Sequence, residues 1–231
     1  EALPNVRSVS VSTGMPVFGP GFGQWFDIAG RPVGDPQRRP GTGINMVTPE
    51  FHATFGIRML QGRAFDDRDR TGSVPVALVN QAFVRRYLTD VDPIGQRLRF
   101  APFEWGRTGD DSPPVEWEIV GVHADTVNGG IGRESQPEVT IPFWQVPWPR
   151  TILAVHSSAD AAGLEAGIVG VVRELEPELP LANVQTIQQS LSQSMADDRF
   201  YTVFFAAFAA VALVLAALGI YGVMSFAVAQ R

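Results

Sequence analysis

The chain of 231 residues has no cysteine and no lysine, so all 18 of its Lys+Arg residues are arginine. Without a thiol there is no disulfide, thiolate nucleophile, Fe–S cluster or cysteine-ligated zinc, although a cysteine-free chain can fold on either side of a membrane. Without lysine there is no Schiff-base chemistry, no P-loop lysine and no Ser–Lys dyad. Histidine is scarce too: His52, His123 and His156 lie far apart and form neither an HExxH nor an HxH spacing. Each is expected to face solvent or to be satisfied within the core. No GxSxG nucleophile elbow occurs. The acidic balance, 24 Asp+Glu and a net charge of -6, leaves no cationic surplus for phosphate and argues against nucleic acid as a partner.

Charge is itself missing from one stretch. Residues 200–230 form a run of 31 with no Asp, Glu, Lys or Arg, of which 26 are Ala, Val, Ile, Leu, Met, Phe, Trp or Tyr. A bilayer core of roughly 30 Å needs about 20 apolar helical residues, so the run predicts a transmembrane helix and a lipid bilayer as partner. Ala206 with Ala210, Ala212 with Ala216, and Gly219 with Gly222 place small residues on neighbouring turns, where a second helix can approach closely. Charge bias does not settle orientation, with Asp197, Asp198 and Arg199 on one side and only Arg231 on the other. The sequence begins at Glu1 rather than Met and stops one residue past the run. Both ends therefore read as cut from a longer chain.

The rest is an acidic body with uneven texture. Residues 14–43 hold 13 Gly or Pro and read as strands joined by an extended loop, with a strand through Val6, Val9 and Val11 before it and another at Phe26-Asp27-Ile28. The run Gly19-Pro20-Gly21-Phe22-Gly23 reads as a flexible loop, because no amphipathic helix follows to make a phosphate cradle. Residues 49–55 predict a short helix capped by Thr48. Val76–Val79 predicts a strand. Asn80 then caps a helix whose Phe83, Val84, Tyr87 and Leu88 share a face, with Arg85 and Arg86 outward. Asp66–Arg70 and Asp110-Asp111 read as solvated turns rather than metal sites. Strands are expected at Leu98–Phe100, Trp117–Val122 and Val139–Ile141, in a region that holds Trp105, Trp117, Trp144 and Trp148, either as core aromatics or as a binding surface.

After Pro149 the pattern is a β-α-β unit: a strand over 151–157, a helix through Leu164, Ile168, Val171, Val172 and Leu175, and a strand at Leu181–Gln185. Thr186-Ile187-Gln188-Gln189 has the capping-box pattern, and Ile187, Leu191 and Met195 repeat every four residues beyond it. No Gly or Pro separates this stalk from the apolar run. One helix running from Ile187 to about Ala229 would be on the order of 65 Å long, unless it breaks at Ala196-Asp197-Asp198. No catalytic, cofactor-binding or metal residue emerges, and no enzyme activity is expected.

Specific strings carry a resemblance. Residues 217–231, ALGIYGVMSFAVAQR, resemble the helix that follows the periplasmic core domain of MacB/FtsX-type ABC transporter permeases. Thr48-Pro49-Glu50-Phe51, residues 56–65 (GIRMLQGRAF), Val79-Asn80-Gln81-Ala82-Phe83, Asp92-Pro93-Ile94-Gly95-Gln96 and Ile119-Val120-Gly121-Val122 resemble that domain's motifs in order. The likeness is greatest to the duplicated permeases of the superfamily. It implies an α+β fold: a discontinuous porter-like subdomain over 1–47 and 149–186 with a smaller mixed α/β subdomain, 48–148, inserted. An amphipathic stalk over 187–199 and a transmembrane helix over 200–230 would follow. It also implies residence in a bacterial cytoplasmic membrane with residues 1–199 in the periplasm, and ATP bound by a partner ATPase rather than by this chain. A second permease copy or repeat is the other implied partner. The implied function is export or mechanotransmission, with Thr186, Gln189, Leu191 and Met195 on the coupling helix and Gly219, Gly222, Ala206 and Ala210 at helix contacts. The alternative is a single-pass anchored binding or sensor protein; a tethered hydrolase would need acidic residues such as Asp66 and Asp67 to converge.

Overall fold

The computed structural model describes residues 5–31, 39–103, 113–128, 134–158, 161–178, 184–190, 192, 204–206, 208–213, 215, 216 and 218. They fall into two units, Glu1–Leu164 and Glu165–Arg231.

The first unit is organised by one sheet. Its strands are β1 (Val6–Ser12), β2 (Phe22–Trp25), β3 (Asp27–Ile28), β4 (Gly41–Val47), β5 (Met59–Gly62), β6 (Val76–Asn80), β7 (Arg97–Phe100), β8 (Val115–His123), β9 (Glu138–Pro142) and β10 (Ile152–Ser157). Two short helices accompany them, α1 (Phe51–Thr54) and α2 (Gln81–Tyr87). The order is β10-β1-β4-β9-β6-β8-β7-β3, with β2 on β4 and β5 on β8. Most pairs are antiparallel, but β4–β9 and β6–β8 are parallel. A mixed sheet with few helices is an α+β fold, as expected.

Alternation of side chains gives the sheet two chemically different faces. Ile44, Met46, Ala77, Val79, Ile119, Val122, Val139 and Ile141 turn to one face and pack with Phe26, Phe83, Leu98, Phe100 and Trp117 into the main core. The opposite face carries a smaller cluster of Val47, Val76 and Leu78 with Phe51 and Phe65. Between these apolar side chains it buries Ser10, Ser12, Asn45, Asn80, His123, Glu138 and Thr140.

A bulge sets the direction of His123. Ala77 pairs with Ile119, but Leu78 pairs with Gly121, so β8 holds one extra residue between those rungs. Ile119 and Val122, three apart, therefore both reach the main core, and His123 points to the other face. Gly121 is required there, since a Cβ would collide with the Arg63 carbonyl oxygen.

Several expectations are corrected. Thr48 does not cap α1; its Oγ1 accepts from Val11 N at 3.1 Å and ties the helix approach to β1, while the residue at the cap is Glu50 with no side-chain bond. Glycine-rich Gly19–Gly23 runs into β2, and the end of the Gly/Pro tract opens β4. β4 uses glycine for close approach: Gly43 lies under the Pro20 ring and Gly41 under the Trp25 indole of β2. Asn80 behaves as expected, accepting from Phe83 N at 2.9 Å.

In the second unit, α3 (Ala161–Leu175) is the expected helix, its first residues preceding the unit boundary. Of the strand expected at Leu181–Gln185, only Val184 and Gln185 are described, and neither is in a strand. Residues 187–190 and 192 are helical. The described residues of the apolar run are helical as well, and among the described residues no helix is long and apolar enough to cross a membrane. Most of the expected span, including Gly219 and Gly222, lies outside the described residues, as do Leu191, Met195, Trp105 and Asp110-Asp111.

Candidate functional site

The most unusual chemistry lies on the polar face beneath α1. His52 from α1 and His123 from the end of β8 meet there with ring centroids 5.0 Å apart and ring planes at 59°. Both are buried, at 4% and 2% exposure. Phe51 and Phe65 also flank the His52 ring. His123 Nδ1 lies 2.9 Å from the carbonyl oxygen of Ala124, which can only accept, so Nδ1 carries the proton in the neutral ring. Nε2 then accepts from the Thr140 hydroxyl at 3.3 Å. Among the described residues neither nitrogen of His52 has a partner, and the buried hydroxyls of Ser10 and Ser12 have none.

Electrostatics follow from this burial. Desolvation, and secondarily the His123 charge, lowers the His52 pKa from 6.5 to about 3. Burial also lowers His123, opposed by the Ala124 carbonyl and by Asp125. Expected separately as satisfied or solvent-facing residues, these two histidines prove to be neighbours, and His52 is buried without a hydrogen bond. His156 is exposed. Among the described residues no group of three or more His, Asp or Glu could hold a metal ion.

On the same face a polar network joins five segments. Glu138 on β9 accepts from Asn128 Nδ2 at 2.9 Å and from Asn45 Nδ2 at 3.5 Å. Asn45 also accepts from Gly14 N at 2.8 Å and from Thr13 Oγ1 at 3.2 Å. Asn80 accepts a second time, from Glu138 N at 3.0 Å, and donates to the Gln136 carbonyl at 2.8 Å. Burial pushes the Glu138 carboxyl above its usual value, and the two asparagines only partly offset it.

The turn after β5 is more ordered than a solvated turn. Arg63 donates to both carboxylate oxygens of Asp69, at 2.7 and 2.8 Å, and Asp69 is only 5% exposed. Arg68 pairs with Asp66 on the surface and holds that carboxyl well below its usual range. Asp66 thus closes an ion-paired corner with Arg68 and Arg63. Elsewhere, an open groove of about 410 Å³ is lined by Trp25, Gly41, Thr42, Arg86, Gln136 and Pro137 among others. Trp25 is 66% exposed there. Of the other tryptophans, Trp117 is core, Trp148 stacks on Phe22 and Trp144 is half exposed.

In the second unit Thr186 and Gln189 close a reciprocal box: Gln189 N donates to Thr186 Oγ1 at 3.1 Å, and Thr186 N donates to Gln189 Oε1 at 2.8 Å. Ala206 and Ala210 lie on the described apolar helix and are exposed.

The sequence profile described as MacB-like periplasmic core domain matches residues 1–171. The chain belongs to that family. Among solved structures, the periplasmic region of MacB from Actinobacillus actinomycetemcomitans is similar at 13% identity and a TM-score of 0.53, over 82% of this chain and 78% of that one. The extracellular domain of noncanonic ABC-type transporter YknZ from Gram-positive bacteria is similar at 13% identity and a TM-score of 0.47, over 75% and 78%. No curated protein matches the chain by sequence. The MacB likeness shows a shared fold. Within this MacB-like core domain, the motif around Ile119–Val122 is the bulge that aims His123, and the motif around Val79–Phe83 is the strand and cap that hold Glu138.

Proposed function

We propose that this chain is the extracytoplasmic core domain and following membrane segment of an ABC transporter permease, coupling ATP hydrolysis on a partner ATPase to export or mechanotransmission. The observation that carries the reading is membership in the MacB-like periplasmic core domain family over residues 1–171. The second unit supports it. Phe204, Phe205, Phe208, Val211, Leu213, Leu215 and Leu218 are each about half exposed or more, and every residue between them in the sequence is alanine or valine, so no polar side chain interrupts the stretch. A helix apolar on every side is at home in lipid or inside a bundle.

In this reading residues 1–47 and 149–186 form the porter-like part, residues 48–148 the inserted part, and residues 1–199 stand outside the cytoplasmic membrane. The chain itself is not a catalyst. Thr186 and Gln189 start the coupling helix, which continues through Leu191 and Met195. Ala206, Ala210, Gly219 and Gly222 admit a neighbouring helix of a second permease copy or repeat. ATP is bound by the partner and not by this chain.

The absence of cysteine from residues 1–231 provides the test. A cysteine at exposed Ser73, in the full-length protein with any cysteine outside this chain replaced, should react with a membrane-impermeant maleimide in spheroplasts, and an ATPase should co-purify in detergent. Labelling that requires lysis would overturn the placement. A correctly placed protein without any ATPase, after crosslinking, would favour the anchored binding or sensor protein instead.

A further inference from the structure

We propose that His52 and His123 form an acid-released latch that holds α1, with the segment Thr48–Ile57, against the polar face of the sheet. Two imidazoles on different elements stand 5.0 Å apart, and both are nearly excluded from water. Packed neutral, they are compatible. A proton on either ring puts a buried charge where no carboxylate is hydrogen-bonded to it, and protons on both add like-charge repulsion.

The groups facing the pair leave little to receive that charge. From β1 come Ser10 and Ser12, from β9 Thr140, and from β5 Met59, which pairs with His123. Glu138, two residues before Thr140, is occupied by Asn128 and Asn45. Asp125, after β8, has its carboxylate on Arg85 and the Ala82 amide. Asp69, beyond Phe65, is bound to Arg63. On the α1 side Glu50 and Arg58 are exposed, and on β10 His156 is exposed.

The segment carrying His52 is built to move as a short piece. α1 has four residues and no side-chain cap. Before it, Thr48 exchanges bonds with Val11, accepting from Val11 N and donating its own N–H to the Val11 carbonyl at 2.9 Å. After it, Gly56 adopts φ +66° with open space where a Cβ would be. Release between these points would give both imidazoles water and a proton each. Below the ordinary imidazole value, two protons taken up on opening favour the open form by up to about a hundredfold per pH unit.

Hydrogen exchange of the full 231-residue chain, corrected for intrinsic rates, reads this directly. Between pH 6.5 and 4, amides at 51–57 should open up to about a hundredfold more per pH unit, while those of Val76–Asn80 stay protected. In His52→Gln or His123→Gln the slope should fall to about tenfold, and in the double variant it should vanish. An unchanged slope in the double variant, or exchange rising equally at 51–57 and at Val76–Asn80, overturns the latch. Should the variants not fold, the wild-type chain decides by NMR. His52 and His123 titrating near pH 6.5 in the closed fold overturns it; their titration only together with exposure of 51–57 supports it.

Discussion

The carbonyl oxygen of Val120 occupies the space that a Cβ on Gly62 would need, and it accepts a hydrogen bond from Arg63 N at 3.0 Å. Gly62 also holds φ +69°, the left-handed region in which a side chain is strained. Both constraints come from the way β5 turns across the β8 bulge. Gly62→Ala should therefore destabilise the domain by about 2 kcal/mol or more. Gly72 has φ +89° but open space around it, so Gly72→Ala should cost only about 1 kcal/mol. Urea denaturation of both variants compares the collision with the backbone strain alone.

Asn80 serves three partners at once, the amides of Phe83 and Glu138 and the carbonyl of Gln136. Truncation to Ala orphans the Phe83 and Glu138 amides in a buried setting, while the Gln136 carbonyl keeps Asn128 as a donor at 3.2 Å. Asn80→Ala should lose roughly 2–4 kcal/mol, more than the ~1 kcal/mol typical of a helix cap. A loss of only a cap's size would mean that the β9 side of the network re-forms without it.

How far the sequence carries is visible at particular residues. Val76–Asn80 and α2 were legible because an apolar run, a capping residue and a 3.6-residue period agree there, and the Thr186–Gln189 box was legible because its logic is local. β2 and β4 were hidden because glycine, which marks loops in a sequence, here makes room for Pro20 and Trp25 to lie on the strand backbone. The His52–His123 pair was invisible for a different reason. Strict alternation would place His123 beside Ile119 in the main core, and only the extra residue at Val120-Gly121 turns it toward α1. A glycine inside an apolar strand, Ile119-Val120-Gly121-Val122, is the signal that could have announced the bulge. Thr48 and Asp69 were misjudged because their partners, Val11 and Arg63, are chosen by the fold of the turn and not by sequence spacing.

Asp69 gives a further comparison. Its carboxylate is almost fully buried and accepts two bonds from Arg63, whose own side chain is 41% exposed, besides one from the Asp66 amide. Arg63→Met strands that carboxylate and should cost about 1–3 kcal/mol, the partial exposure of the arginine reducing the full buried-pair value. Arg68→Met breaks only the surface pair with Asp66 and should leave the urea midpoint unchanged within error. Equal losses from the two variants would show that the turn, not the buried carboxylate, sets the cost.

Acid and base should act on this fold through different residues, and the signs separate them. His52 has its pKa lowered to about 3, so the stability tied to its neutral form is complete above pH 6.5 and is lost as pH falls from there toward 3. Glu138 is shifted upward, so its contribution is complete below about pH 4.5 and is lost as pH rises through its folded value. Above pH 4.5 the two oppose each other, the Glu138 contribution falling as the histidine contribution grows. Glu138→Gln, which has no charge to bury, should therefore gain urea midpoint over the native chain as pH rises above 4.5. A difference between variant and native chain that does not change with pH would place the charge elsewhere. Below pH 4.5 the ordering reverses: His52→Gln should blunt the acid loss while Glu138→Gln leaves it in place.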